Sequence, residues 1–561
     1  MATVNDAVCI DNWSLFEREP ESSGRPTPYL LGPIVGAVTE TTARVLVEVA
    51  TTMRVTMEAF MDGISAYSLV REVKAKTPTV FKLNHLQPAK SIVVKVNVGE
   101  FGQEREARFN TTSDKKCWKI AAVSCSCFPF VEEVGLWERL SRVAGDLDCV
   151  LHLGDQIYAD TDFSAKKAGG VGFESAWESC LMILKPEGRA DWDSKREELL
   201  ECYRKTYRAT WNIPSVATVL ASAANYMICD DHEFVDNLAG DNPEHVDQSS
   251  VEFYVAKVGY QAYCEYQMQL LKDVDVTDSS LKPFYAWKLS PKVGFFMTDN
   301  RISRTLHRRD SGPDSKWENK QFMGPAQWDR ITEAFSADFS ECETIFFGTP
   351  TPLVFISQSA TGAAEKVIVD AKGTWGNRDF NVEQRKALSL LSQWQLARPN
   401  RAAITLGGDI HLGGFTDSWV DDSDVPLHQM TASAIANVPE KEIDTVKEMV
   451  MRGMMHLDEH NFKFKVRHHQ WIYGPNFGMV DVLLSKGSGR PDITLTLLPD
   501  EGEPRIRNLE FGTSSVEVKN PNQSDASRSA HATAKIMAVP PPGPDGQQAA
   551  PSGCKCTCTV S

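Results

Sequence analysis

Apolar residues are distributed along the chain in three regimes. Between Pro28 and about Thr112, segments such as TTARVLVEV, RVTMEAFM, SIVVKVNV and EARFNTT alternate apolar with polar residues or run β-branched, separated by polar turns. A period of two sets one face of a strand on a core and the other in water. Residues 28–113 are therefore expected to form a small all-β sandwich of the immunoglobulin or fibronectin type. From Lys119 the runs become short and wholly apolar: KIAAVSC, CVLHLGD, NYMICDDHE, VGFFMTDNR, TIFFGTP and AAITLGGDIH, ending in Asp, Cys, Gly or His. Such strands are buried on both faces. Helical patterns lie between them, one through Glu132–Ala144 and one from Val382 to Ala397, the latter with Asn381 as N-cap, Gln384 three positions on and Pro399 beyond its end. Strands alternating with helices predict an α/β layered domain over 119–513. In such layers, ligands bind outside the carboxyl ends of the strands.

Residues 161–224, rich in helix formers, Trp and Tyr, read as an insertion that caps the site. Residues 1–27 read as a flexible leader, and 514–561, with PPPGPDGQQ, as a flexible tail. A chain of 561 residues is too long for one core. With 42% hydrophobic and 24% charged residues it falls in the soluble globular class. A formal net charge of −16 and the lack of a basic stripe exclude nucleic acid as an expected partner. An acidic protein that handles phosphate must attract it locally, through a metal or a placed arginine. No apolar run is long enough to span a bilayer, and the start has no signal-peptide pattern, so the chain is expected to begin in the cytosol. The 13 cysteines are an odd count, and a disulfide framework is not expected in such a chain.

The chemistry concentrates in four clusters, each after an apolar strand: Ser124-Cys125, Gly154-Asp155-Gln156-Ile157-Tyr158, Asp230-Asp231-His232-Glu233 and Gly408-Asp409-Ile410-His411. Any one alone is an ordinary turn or a buried thiol. Together they offer carboxylate, thiolate, phenolate and imidazole to one cleft, a donor set for a hard divalent ion beside a ferric-type one. Two such metals clamp the attacking and leaving oxygens of a phosphoryl group. Arg301, after VGFFMTDN, is either a fork for phosphate oxygens or half of a surface ion pair with Asp299. His152, inside CVLHLGD, reads as a core histidine.

GDQIYAD, DDHEFVDN, TDNRISR and GGDIHLGG, together with MGPAQWDRI and TWGNRDFNVEQRKALSLL, resemble the successive signatures of the PhoD-like (alkaline phosphatase D type) family of the metallophosphatase superfamily, over about residues 28–500. The superfamily's first motif is Asp-x-His; this chain carries SCSC there, as PhoD-like members do. The resemblance implies a two-sheet α/β metallophosphatase sandwich behind the small β domain. It implies metal-dependent hydrolysis of phosphate monoesters or diesters, with in-line attack by a hydroxide between the metals. Asp155 would bridge the metals. Cys125, Tyr158 and His411 would complete an iron site, with Cys127 a rival for Cys125. Asp231 and Asp409 would hold the second metal, calcium. His232 would donate a proton to the leaving group or orient the phosphate, and Arg301 would stabilise transition-state charge. The alternative is a catalytically inactive membrane-tethered adaptor on the same fold.

The tail adds a second signal. Cys558-Thr-Val-Ser fits a prenylation box whose terminal Ser favours farnesyl, and Cys554 and Cys556 stand where palmitoylation would add a second anchor. The other reading is a metal-binding or merely exposed cysteine tail. The anchored reading places the protein on the cytosolic face of a membrane, with a phosphate ester as substrate.

Overall fold

The computed structural model describes residues 28–98, 104–128, 130–162, 174–239, 245, 247–304, 321–364, 373–421, 423–437, 459–485 and 489–511. The expected leader and tail, with Cys554, Cys556 and Cys558, lie outside the described residues. The first strands are β1 (Tyr29–Val38), β2 (Ala43–Val49), β3 (Met53–Met61), β4 (Ile64–Val73), β5 (Thr79–Leu83), β6 (Ser91–Val98) and β7 (Glu104–Asn110). They form one sheet in the order β1-β2-β5 and another in the order β4-β3-β6-β7, all pairs antiparallel. This is the expected all-β sandwich. The alternation that announced β6 is visible in its burial, with Ile92, Val94, Val96 and Val98 inward. Strand β4, mostly exposed at the sheet edge, carries no such signal.

The sandwich is keyed to the rest of the chain through polar groups. Glu48, fully buried in β2, accepts hydrogen bonds from Arg208 Nη2 at 2.5 Å and Tyr266 Oη at 2.8 Å. Both donors lie on helices of the following layer, Arg196–Trp211 and Val251–Tyr266. Replacing Glu48 with glutamine leaves Arg208 with only the partly buried Glu201 as a charged partner. The expected loss is about 2 kcal/mol of stability, read as a lowered midpoint in thermal or denaturant unfolding.

The second body contains β8 (Cys117–Val123), β9 (Cys149–Leu153), β10 (Ala224–Ile228), β11 (Tyr285–Ser290), β12 (Val293–Met297), β13 (Thr344–Thr349), β14 (Ala402–Gly407), β15 (Gly413–Trp419), β16 (Leu427–Thr431), β17 (Lys465–Ile472), β18 (Asn476–Leu483), β19 (Asp492–Pro499) and β20 (Arg505–Asn508). One sheet runs β10-β9-β8-β18-β19-β20, the other β11-β12-β13-β14-β16-β15-β17. The chain is thus a two-sheet α/β sandwich preceded by a small β-sandwich. β8, β9 and β10 are mutually parallel, as are β12, β13, β14 and β16. Every residue of β9, β10, β12, β13, β14 and β16 is buried, and none of these strands carries an acidic residue, a lysine or an arginine. Parallel strands in register bring their carboxyl ends to one edge, and the four chemical clusters meet there.

Three local expectations are corrected. The helix expected through Glu132–Ala144 is two short helices, Phe130–Val134 and Leu136–Ser141, divided at Gly135, whose φ of 71° is a left-handed conformation that favours glycine. In the helix Asn381–Leu396, Asn381 is the first helical residue and Phe380 the cap, with no side-chain cap bond. Gln384 does not close a capping box; it is buried, and its Nε2 donates to the Leu353 carbonyl at 2.6 Å. The expected insertion contains the helices Ala176–Leu184, Arg196–Trp211 and Pro214–Ser222. Its first helix is tied behind the β9 loop, where the Trp177 amide donates to the Ala159 carbonyl at 3.0 Å.

Candidate metal centre

The ends of β8, β9, β10 and β14 are held together by backbone packing that leaves no room for a side chain at two glycines. A Cβ on Gly154, whose φ is +100°, would meet Asp230 Cβ at 2.6 Å. One on Gly408 would meet Ser124 Cβ at 2.7 Å. Glu233 locks the loops further. Its buried carboxylate accepts from the amides of Asp155 (3.0 Å), Gln156 (2.7 Å) and Asp230 (2.8 Å), and from Gln267 Nε2 (3.2 Å). Burial pushes its carboxyl up to about 7 although all of these donors favour the charged form.

Asp155, Asp230, Asp231 and Asp409 each turn a carboxylate oxygen to one point, all within 4.8 Å of one another; Asp155, Asp231 and His232 form an overlapping group on the same criterion. All are buried. Cys125 Sγ lies 3.4 Å from Asp155 Oδ2 and 3.6 Å from the Asp409 carbonyl, and Ser433 Oγ donates to it at 3.2 Å. Tyr158 Oη lies 3.2 Å from His411 Nε2, and Asn437 Nδ2 reaches both, at 3.2 Å and 3.4 Å. The His232 ring stacks on Tyr158 with centroids 4.2 Å apart, and its Nδ1 lies 2.9 Å from Asp160 Oδ1. Cys125, Asp155, Asp409 and His411 all have left-handed backbones, with φ of 55°, 57°, 64° and 53°. A non-glycine residue in that region costs on the order of 1–2 kcal/mol, so four at one site mark stored strain of the kind that collects at functional centres.

The electrostatics point to missing positive charge. Burial and the neighbouring carboxylates raise the Asp155 and Asp230 carboxyls well above the usual range, against His232 and Arg301 respectively. Burial would raise Asp231 too, but Arg301, His232 and the Asn237 amide outweigh it and its carboxyl is lowered. Burial and Asp155 drive the Cys125 thiol well up. Burial would lower His232, but Asp160, Asp231 and Asp155 prevail and hold it as the imidazolium. Arg301 is buried between acids: its Nε donates to Asp230 at 2.5 Å and its Nη2 lies 3.3 Å from Asp231. Asp230 Oδ2 and Arg301 Nη1 are buried with no hydrogen-bond partner, a costly state for each unless a cation and an anion complete them. Oxygen donors for a hard ion, beside thiol, phenol and imidazole for a softer one, fit a pair of metal ions.

The structure therefore brings together every residue singled out for this site from the sequence. Of the two rival thiols, Cys125 faces Asp155, whereas Cys127 Sγ lies 3.5 Å from the Phe128 carbonyl. Arg301 is no surface pair with Asp299: the Asp299 carboxylate accepts the amides of Arg301, Ile302 and Ser303, and the guanidinium turns inward. His152 is a core residue, its Nε2 2.9 Å from Asn225, its pKa lowered by burial to about 4. Sequence reasoning missed Asp230 as a member of the acidic group, Asp160 as the partner of His232, and Asn437. The first two stand inside recognised motifs; Asn437 follows β16 in a stretch without any polar cluster.

The PhoD-like phosphatase family profile matches residues 120–492, more than half of the chain. The solved structure "Structure of PhoD" is similar at a TM-score of 0.62 and 14% identity, covering 86% of this chain and 89% of that one. "GAP50 the anchor in the inner membrane complex of Plasmodium" aligns at a TM-score of 0.33 and 9% identity, over 77% of this chain and 100% of that one. No curated protein matches the chain.

Proposed function

The chain belongs to the PhoD-like phosphatase family of metal-dependent phosphoric ester hydrolases, and from that premise we propose that it hydrolyses phosphate monoesters, diesters or both at a membrane surface. The observation that carries this reading is the convergence of four buried carboxylates from three strand ends beside one buried arginine. Asp155 would be shared by two cations, with Cys125, Tyr158 and His411 completing an iron site and Asp231 and Asp409 a calcium site. Bound there, two cations withdraw charge from phosphate oxygens and lower the pKa of water. Arg301, held rigid by Asp230 and Asp231, directs Nη1 at a phosphate oxygen and stabilises charge that grows in the transition state. His232, kept protonated and oriented through Nδ1 by Asp160, gives its Nε2 proton to the departing oxygen. Asn437 fixes the phenol of Tyr158 against the imidazole of His411.

The direct test is turnover of aryl phosphate monoesters and diesters by the purified, metal-loaded protein. Measurable hydrolysis of either class, inhibited by vanadate or free phosphate, is the expected result; inert protein with full metal content would leave the adaptor reading. The location rests on the Cys558-Thr-Val-Ser sequence. A farnesyl group on Cys558 with acyl groups on Cys554 and Cys556 would hold the enzyme on the cytosolic face. Mass spectrometry of protein from eukaryotic cells is expected to find one farnesyl increment, absent from Cys558→Ser.

A further inference from the structure

A second charged concavity lies away from the catalytic cleft, at the far end of the strands that frame it. It encloses about 1290 Å³ between β15, β16, β17 and β20. Asp417, at its base, pairs across the sheet with His428 and with Arg467, whereas the catalytic edge of the same sheet begins at Gly413. By the rise of a strand, the two ends stand roughly 13 Å apart.

Arg385, Lys463, Lys465, Arg467 and Arg507 line the groove, in a chain whose formal net charge is −16. Asp421, Asp424 and Glu510 line it as well. The carboxylate at its base is already engaged. Asp417 Oδ1 lies 2.7 Å from His428 Nδ1, Oδ2 lies 3.0 Å from His469 Nε2, and Arg507 donates to the same Oδ2. These partners outweigh the burial that would raise it, and hold the Asp417 carboxyl far below its ordinary value. The Asp417 charge is thus committed at the base, to Arg507 and the two imidazoles, and not to the cations of the rim. Among the described residues, the side chains of Arg385, Lys463 and Arg467 have no hydrogen-bonded or ion-paired partner, while Lys465 rests over the Trp419 ring at 4.3 Å. The base of the groove is tied together by these hydrogen bonds, and its rim offers uncommitted guanidinium and ammonium groups, the arrangement that receives a phosphate.

The groove also borders the last described residue. Phe511, the last described residue, packs edge-on against the His428 ring at 5.0 Å, with the Arg490 guanidinium 5.5 Å from its own ring. Fifty residues follow Phe511 in the sequence, Cys554, Cys556 and Cys558 among them.

We propose that this groove is a binding site for a phosphate-bearing anion, separate from the catalytic centre, and that its ligand is the headgroup of an anionic membrane lipid. The lipid source rests on the membrane reading given above; the phosphate chemistry does not. The site would turn the body of the enzyme onto the bilayer that the proposed anchor would engage. Interactions of exposed cations with an anionic surface are screened within a Debye length, so binding should weaken with salt.

The test uses full-length Cys558→Ser protein, which carries no farnesyl group, so failure of the anchor and failure of the groove are read separately. Its sedimentation with phosphatidylcholine vesicles containing phosphatidic acid is compared with that on phosphatidylcholine alone, and its binding of soluble glycerol phosphate is measured by calorimetry. The added variant is Lys463→Glu with Arg467→Glu, both exposed, the first just before β17 and the second within it, and both outside the catalytic machinery. Binding to the phosphatidic acid vesicles, reduced roughly tenfold or more by the double variant with aryl phosphate turnover unchanged, is the expected result. Variant-sensitive binding of glycerol phosphate without vesicle binding would keep the phosphate site and overturn the lipid source. Binding absent from both proteins, or equal in the two, would overturn the proposal altogether.

Discussion

Asp155→Asn is expected to lower phosphate ester turnover by at least about a thousandfold while leaving the protein folded. The size follows from position. Asp155 belongs to both groups of metal-competent side chains and lies 3.4 Å from Cys125 Sγ, so its charge serves both halves of the site. Loss of even an outer-sphere partner of a metal ligand costs 10–100-fold in typical sites, and a shared ligand costs more. Asparagine is the informative replacement. The residue has a φ of 57°, which asparagine tolerates and which would add about 1 kcal/mol of strain to an alanine. Removing one of four converging negative charges also relieves repulsion in the metal-free state. The unfolding midpoint of the stripped variant should therefore equal or exceed that of stripped wild type. Steady-state kinetics and thermal unfolding on the same preparations check both halves; a variant that retains wild-type turnover would remove Asp155 from the mechanism.

Arg301→Met is expected to affect stability and activity together. The guanidinium is 2% exposed and is the strong donor to Asp230, with Asp231 beside it. Breaking a buried ion pair from one side leaves the other charge uncompensated, at a cost of roughly 3–5 kcal/mol. Loss of a charged donor aimed at the transition state costs a further 10²–10³ in kcat, by about the magnitude seen for single oxyanion donors. The stability loss should depend on metal, because cations at Asp231 and Asp409 would themselves compensate the exposed acids. Unfolding measured with and without a chelator would show a larger deficit in the stripped protein. An equal deficit in both states would mean that the acidic group holds no cation.

The strand ends were legible because burial on both faces leaves β9, β10, β12 and β14 without a charged residue, so the first carboxylates mark where β9, β10, β12 and β14 open into the cleft. Side-chain direction was not. Asp299 is the nearest acid to Arg301 in sequence, yet its carboxylate caps the turn through three amides and leaves the guanidinium for Asp230, which is 71 positions away. Asn437 touches a tyrosine 279 positions away, and no local pattern encodes that contact. Gly135 within an apolar helical period was read through, although a glycine inside a helix costs about 1 kcal/mol and here divides it. The basic groove was equally hidden: Lys463, Lys465 and Arg467 share one short segment, but Arg385 and Arg507 join it from distant parts of a chain whose average is acidic.

Elemental analysis of the purified chain, paired with turnover of the same sample, addresses the central claim most directly. About two metal ions per chain in active protein, falling together with activity in Asp155→Asn, is the expected outcome. Metal-free protein that hydrolyses phosphate esters at the wild-type rate would contradict it.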